Sequence, residues 1–560
     1  MSLAEEETHV YDVLIVGAGP CGLAVAARLR ESTPSALFTE SEHQKFHFMK
    51  ATSSRSKSKP IRTSRRANTS PDRLLPGYNV SSHAVDIAVL DANGDQWMSA
   101  WNEKFDELGI THLRSPMFFH PDPRDRDGLL EYAVTADRQK ELKEIQGVVG
   151  KELSKHQRKK KQKDGKRTQE TTYVDERDRH DYYRPSQSLF KQYCESIVAR
   201  YQLSDMVQKS AVTSITFSPS SSLFTLQTST GTKKARIVVL AIGAAVKPTL
   251  PPDCPFCPLP SKGSVSHIFW QTQLPNANTN ILPPHLLSKA QRHIPTSLGI
   301  VGGGLTSAQV AHLATSHGVS KVHLILRGPL KTKHFDVDLS WLAKFKNQRM
   351  SEFWKADTDE ERVEMMKCAR SGGSVNPEYK GILCGLVREG KLVIEEFTDV
   401  KEAVWYEEGM MWTLGLEGQD GTRELQVDHV VYATGVVADI NKVPAIRPLL
   451  DSHPIDTVGG MPCLTKELMW NEEVPLFVTG RLGALRLGPA GPNLEGARLG
   501  AEFIAGKIAS LMTADEWDGD VFGEGEDVDM RSLGLGRQNQ FEILTIEDLD
   551  VMEGEARAML

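Results

Sequence analysis

The chain runs to 560 residues with a formal net charge of −7 and 40% hydrophobic residues, which fits a soluble protein of two or three domains. No apolar run approaches the ~20 residues of a membrane span, and the acidic start Met1-Ser2-Leu3-Ala4-Glu5-Glu6-Glu7 is no signal peptide. Seven scattered cysteines fit a reducing compartment, so the expected location is the cytoplasm, with no membrane or nucleic-acid partner.

Tyr11 to Val16 is a short apolar run, as a buried parallel strand requires. It leads into Gly17-Ala18-Gly19-Pro20-Cys21-Gly22. Gly17 permits a tight turn, Gly19 lets a pyrophosphate approach the backbone, and Gly22 lets the next helix pack on the strand. That helix aims its positive end, with free N–H groups, at the phosphates. A strand predicted at Ala36 to Thr39 ends in Glu40, placed to read a ribose diol. Two basic stretches, 53–71 and 151–167, read as loop insertions.

Arg236 to Leu240 is an apolar strand running into Ala241-Ile242-Gly243. A proline-rich stretch follows that holds Cys254-Pro255-Phe256-Cys257, a pair with the spacing of a redox dithiol. Ser297 to Val301 is a second buried-strand pattern, followed by Gly302-Gly303-Gly304-Leu305-Thr306-Ser307. Gly302 and Gly304 match the first loop, and Ser307 replaces its third glycine with another small residue. The next strand ends at Arg327, with Lys331 and Lys333 beyond it. A guanidinium where an acid would sit favours a 2′-phosphate, hence NADPH over NADH; a solvated surface charge is the plainer reading.

Val430-Val431-Tyr432-Ala433-Thr434-Gly435 repeats the strand-to-glycine pattern, and Val474 to Val478 reaches Gly480 two residues later. Asn493 and Leu494 open a helix predicted to reach about Leu511. Its positive end would face a flavin ring. Residues 513–560 turn acidic and glycine-rich and read as a disordered tail. Two such loops on one chain point to two nucleotides held together, a flavin and a nicotinamide. The fold class is α/β, with two dinucleotide-binding Rossmann-like domains.

With these motifs the chain resembles the class B flavin-dependent monooxygenases, closest to the fungal-type ornithine and lysine N-hydroxylases. His112-Leu113-Arg114-Ser115-Pro116 resembles that branch's segment beside the flavin, and Ser374-Val375-Asn376-Pro377-Glu378-Tyr379 its asparagine–tyrosine region. Ala433-Thr434-Gly435 is shared across the class. The resemblance implies a discontinuous FAD domain at 10–245 plus 425–512 and an inserted NADPH domain at 246–424. It implies FAD, NADPH and O2, a C4a-hydroperoxyflavin, a small-molecule substrate with N-hydroxylation favoured, no metal, and a homo-oligomer.

Under that resemblance Arg114 and Asn493 become candidate flavin-side groups and Asn376 a candidate contact to nicotinamide or substrate. Each has a plainer role: Arg114 pairing a surface carboxylate, Asn493 capping a helix, Asn376 making a turn before Pro377. Two rival readings stay open: a dithiol oxidoreductase using Cys254 and Cys257, and a regulatory flavoprotein like the oxidative-stress-induced growth inhibitors.

Overall fold

The computed structural model describes residues 9–32, 85–149, 174, 176–243, 265–269, 281–342, 346–419, 421–436 and 438–515. The expected Glu40, Cys254 and Cys257, both basic insertions and residues 516–560 lie outside the described residues.

The first sheet centres on β1 (Val10–Val16), whose Val13, Leu14 and Ile15 are fully buried. A strand apolar on both faces needs layers on both sides, as in parallel α/β sheets. The chain continues through α1 (Pro20–Arg30) to β2 (Ile87–Asp91), α2 (Ser99–Glu107) and a two-strand ribbon, β3 (Lys143–Glu144) with β4 (Tyr183–Arg184). Next come α3 (Gln187–Arg200), β5 (Val207–Lys209) and an antiparallel run of β6 (Val212–Ser218), β7 (Leu223–Thr228) and β8 (Gly231–Leu240). The order is β5-β2-β1-β8-β7-β6, so β1 has a parallel neighbour on each side.

The second domain opens with β9 (Val265–His267), then β10 (Ser297–Val301), α4 (Leu305–Ser316) and β11 (Lys321–Ile325). The helices that follow include α5 (Asp359–Arg370) and α6 (Pro377–Arg388), before β12 (Leu392–Glu395). An antiparallel sheet of β13 (Asp399–Tyr406), β14 (Met411–Gly418) and β15 (Gly421–Val427) precedes β16 (His429–Tyr432). The parallel order is β12-β11-β10-β16-β9.

This pairing moves the expected domain boundary. Residue 425 falls inside β15, and β16 pairs with β10 and β9, so the second domain continues through Tyr432. The chain returns to the first domain after Gly435. A small ribbon of β17 (Thr457–Val458) and β18 (Met461–Pro462) leads to β19 (Leu476–Val478), which lies parallel to β8, and to α7 (Leu494–Asp515). The helix therefore extends past the expected start of the tail at 513. Small residues on α1 and α7, such as Ala24, Ala27, Ala497 and Ala501, let the two helices approach closely. Arg28 Nε donates to Glu502 Oε2 at 2.6 Å across that contact, both side chains being buried. Removing one partner of such a pair costs about 3–5 kcal/mol. No helix among the described residues is long and apolar enough to cross a membrane.

Candidate functional site: two glycine loops and the cleft between them

The two loops are built alike. Gly17 (φ +110°) follows β1, and a Cβ there would lie 2.5 Å from Ala241 O. Gly302 (φ +145°) follows β10, and a Cβ there would lie 2.5 Å from Ala433 O. Ala241 N donates to Val16 O at 2.8 Å, and Ala433 N to Val301 O at 2.9 Å. The Ala-x-Gly pattern after β8 and β16 is therefore the far wall of each loop. Left-handed backbone and that close carbonyl both demand glycine.

Gly19 and Gly304 face the other way: a Cβ on either would meet nothing within 4 Å. Each is the N-cap of its helix, and neither α1 nor α4 has a side chain capping it. Open space over uncapped N–H groups is what a pyrophosphate needs. Gly22 lies under the first loop, where a Cβ would meet Gly17 O at 2.0 Å, and Pro20 occupies the first turn of α1. Ser307, fully buried, donates to Gly304 O at 2.6 Å, so the replaced glycine braces the second loop.

The acid beside the first loop is Asp91, at the end of β2. Its Oδ2 accepts from Ala18 N at 2.8 Å and its Oδ1 from Asn93 N at 2.8 Å. A carboxylate has further lone pairs for a ribose diol. It stands 73 positions after Ala18, so the expected spacing of about twenty residues misses it. In the second domain Arg327 follows β11 and is exposed. Lys331 and Lys333 are spent elsewhere: Lys331 Nζ donates to Ser371 O at 2.7 Å, and Lys333 Nζ to Ser371 Oγ at 2.9 Å.

Gly480 (φ +70°) lies over α1, where a Cβ would be 3.2 Å from Cys21 Sγ. Burial pushes the Cys21 thiol up to about 12, so it stays protonated. Asn493 caps α7: its Oδ1 accepts from Glu495 N at 3.0 Å and Gly496 N at 3.3 Å. Its Nδ2 is buried with no hydrogen-bond partner among the described residues. A buried donor left unpaired costs about 1–3 kcal/mol, so it calls for an acceptor. Leu494, 3% exposed, starts the helix behind it.

Arg114 makes no ion pair among the described residues. Its guanidinium donates to the carbonyls of Phe335 (2.6 Å), Lys333 (2.8 Å) and His334 (3.1 Å), and to Ser374 Oγ (3.0 Å). It clasps the first domain to the segment that leads from β11 and to the turn before α6. Asn376, 6% exposed, caps α6 by accepting from Tyr379 N at 2.9 Å, with Pro377 in the first turn. The asparagine also lines a cavity of about 300 Å³ between the domains, with Arg114, Ile145, Arg184, His334 and Glu378. Arg184 and Glu378 form an ion pair across it. Burial alone would raise the Glu378 carboxyl, but the Arg184 hydrogen bond and charge, with Lys143, hold it low.

No protein-family model matches the chain, and no curated protein matches it in sequence. Solved structures do. The Kutzneria ornithine N-hydroxylase, with reduced FAD, NADP+ and L-ornithine, superposes with a TM-score of 0.58 at 14% identity, covering 90% of this chain and 100% of its own. The Pseudomonas aeruginosa ornithine hydroxylase gives 0.56 at 15%, covering 90% and 100%. The FAD-bound cadaverine monooxygenase of desferrioxamine biosynthesis from Erwinia amylovora gives 0.55 at 13%, covering 90% and 95%. The chain has the two-dinucleotide flavoprotein fold. These structures come from the same N-hydroxylating branch that the sequence motifs resemble.

Proposed function

We propose that this protein is an FAD- and NADPH-dependent monooxygenase acting on a small molecule, with N-hydroxylation the favoured reaction. The observation that carries the reading is the pair of matched glycine loops, each open over an uncapped helix start, together with the unpaired Nδ2 of Asn493. FAD would lie along α1, its pyrophosphate over Gly17, Ala18, Gly19 and Pro20, its ribose at Asp91, and its ring toward Gly480, Asn493 and Leu494. NADPH would lie along α4, with Gly302, Gly304 and Ser307 shaping the phosphate site and Arg327 meeting the 2′-phosphate. When bound, the flavin supplies hydride acceptance and oxygen activation.

The chain's own groups have narrower tasks. The Asn493 amide donates to the flavin edge, and the α7 N-terminus favours negative charge there. Arg114 holds the two domains in one geometry, and Asn376 presents its amide to the interdomain cavity. The walls of that cleft must exclude water, because an open site would release hydrogen peroxide instead of product.

The test is separable by domain. Gly302→Ala forces a Cβ onto Ala433 O, so the variant should keep its FAD yet lose reduction by NADPH, while dithionite still reduces it. Unchanged reduction by NADPH in that variant would contradict the placement of the nicotinamide cofactor.

A further inference from the structure

The cavity beside Asn376 is unevenly charged. One wall is the β3–β4 ribbon with the residue after β3, which brings Lys143, Glu144, Ile145 and Arg184. The opposite wall is the start of α6, with Asn376, Pro377 and Glu378. Arg114 and His334 also line the space. The His334 ring packs toward the ribbon side, since a Cβ on Gly147 would lie 3.3 Å from its Cε1.

Among the described residues that line the cavity, Arg114, Lys143 and Arg184 are cations, and Glu144 and Glu378 are acids. Both acids are already engaged: Glu144 pairs with Arg179, and Glu378 with Arg184. Lys143 makes only a longer contact, Nζ to Glu378 Oε1 at 3.6 Å, and stays half exposed. Arg184 is buried, with that one shared carboxylate as its ion-pair partner. Arg114 spends its N–H groups on carbonyls and on Ser374 Oγ, so no acid touches its charge. Nearby histidines feel the surplus. Burial first, then Lys143 and Arg184, lowers the His112 imidazole; burial, then Arg114, lowers that of His334. A cation entering this space meets repulsion and no unengaged carboxylate. An anion meets two cations that share a single acid.

We propose that Lys143 and Arg184 recognise a carboxylate group of the small-molecule substrate, so that the cavity takes acid-bearing molecules and rejects chains that are cationic at both ends. The identity of that molecule as a substrate rests on the monooxygenase reading, but binding of the acid does not depend on oxygen chemistry. A volume of about 300 Å³ is at the small end of ligand pockets and suits one short chain. Lys143, on a long exposed stem, is the adjustable partner. Arg184 is held by burial, and its fork has donors beyond those that meet Glu378. Glu378 is the internal competitor for both cations.

Calorimetric titration of the full-length, flavin-loaded protein with 5-aminopentanoate, glutarate, 5-amino-1-pentanol and 1,5-diaminopentane tests this, with and without saturating NADP+. At least one of the two acids should bind saturably, and the amino alcohol and the diamine should bind about tenfold or more weakly by comparison. Lys143→Gln should lose about tenfold in acid affinity. Glu378→Gln should tighten acid binding, a gain that a purely structural role does not produce. Arg184→Gln alone would strand Glu378, so the Arg184→Gln/Glu378→Gln pair is used, and it should bind acids about tenfold more weakly than Glu378→Gln. Thermal midpoints and flavin content show that each variant is folded. The proposal is overturned if neither acid binds, if the diamine binds as tightly as the acids, or if Lys143→Gln and the paired variant leave acid affinity unchanged. It is also overturned if NADP+ displaces the acids, which would make this a site for a cofactor phosphate. Reduction of the flavin by NADPH in the same preparations separates the two readings. Reduction without acid binding counts against this proposal alone, and acid binding without reduction counts against the monooxygenase alone.

Discussion

Asn493 holds a helix start with one end of its amide and leaves the other end unpaired. Its Oδ1 is spent on the α7 cap and its Nδ2 is buried without a partner. Asn493→Asp keeps the acceptor and loses the donor, so thermal stability should hold while FAD retention falls about tenfold. Asn493→Ala should lose both, with about 1 kcal/mol of cap stability gone as well. Equal FAD retention in Asn493→Asp and the parent would remove the flavin contact from the account. Arg327 is simpler: it is exposed, so its replacement should not affect folding. Arg327→Ala should cut the preference for NADPH over NADH about tenfold or more, measured as the ratio of kcat/KM values. His120 is fully buried, and burial first, then Arg498, pushes its imidazole down to about 3 from an ordinary 6.5. Above pH 6.5 the folded and unfolded chains both leave it neutral. Below that the unfolded chain takes up a proton that the folded one refuses, so stability falls by up to about 1.4 kcal/mol per pH unit. The thermal midpoint should therefore drop between pH 7 and 5, and His120→Gln should flatten that drop.

At the scale of elements, the turn between α5 and α6 is the part of the cleft that the sequence reading least prepared for. The helix α5 is capped by Thr358, which accepts from Glu361 N, and its acidic first turn suits the positive end. It ends at Ser371 (φ +50°) and Gly372 (φ +82°), with Lys333 and Lys331 donating around its last carbonyls. Gly373 then passes so close to the second loop that a Cβ on it would lie 3.0 Å from Gly304 N. Arg114 fixes this turn through Ser374. Arg114→Lys cannot reach several carbonyls at once and should cost about 1–3 kcal/mol. Amide exchange across 371–376 should accelerate in that variant, and unchanged exchange would contradict the clasp. The segment around Arg114 was visible as a motif, but its partners lie 219 to 260 positions away, where no local pattern points. The glycine loops, by contrast, were legible because each glycine meets a steric demand within a few residues or at the end of a neighbouring strand. Asp91 was missed for the opposite reason: the expected acid was sought about one helix and one strand after the loop, whereas 73 positions separate it from Ala18.

For the whole molecule, the order of segments is what places two glycine loops of the same build, each open over a helix start, on one chain. The first sheet is completed by β19 only after the second domain has been built, and the crossovers after β8 and β16 form the backs of the two loops. The apolar runs at β10, β16 and β19 were readable from composition, yet the domain boundary was not. A short run such as Val430-Val431-Tyr432 fits either sheet, and only its pairing with β10 and β9 assigns it. The most direct test of the central claim is to reduce the flavin-loaded protein with NADPH and mix it rapidly with oxygenated buffer, following the flavin absorbance. An oxygenating enzyme should show a long-lived absorbing species, distinct from both reduced and oxidised flavin and prolonged by NADP+. Immediate return to the oxidised spectrum with stoichiometric hydrogen peroxide, in the presence of NADP+, would contradict it.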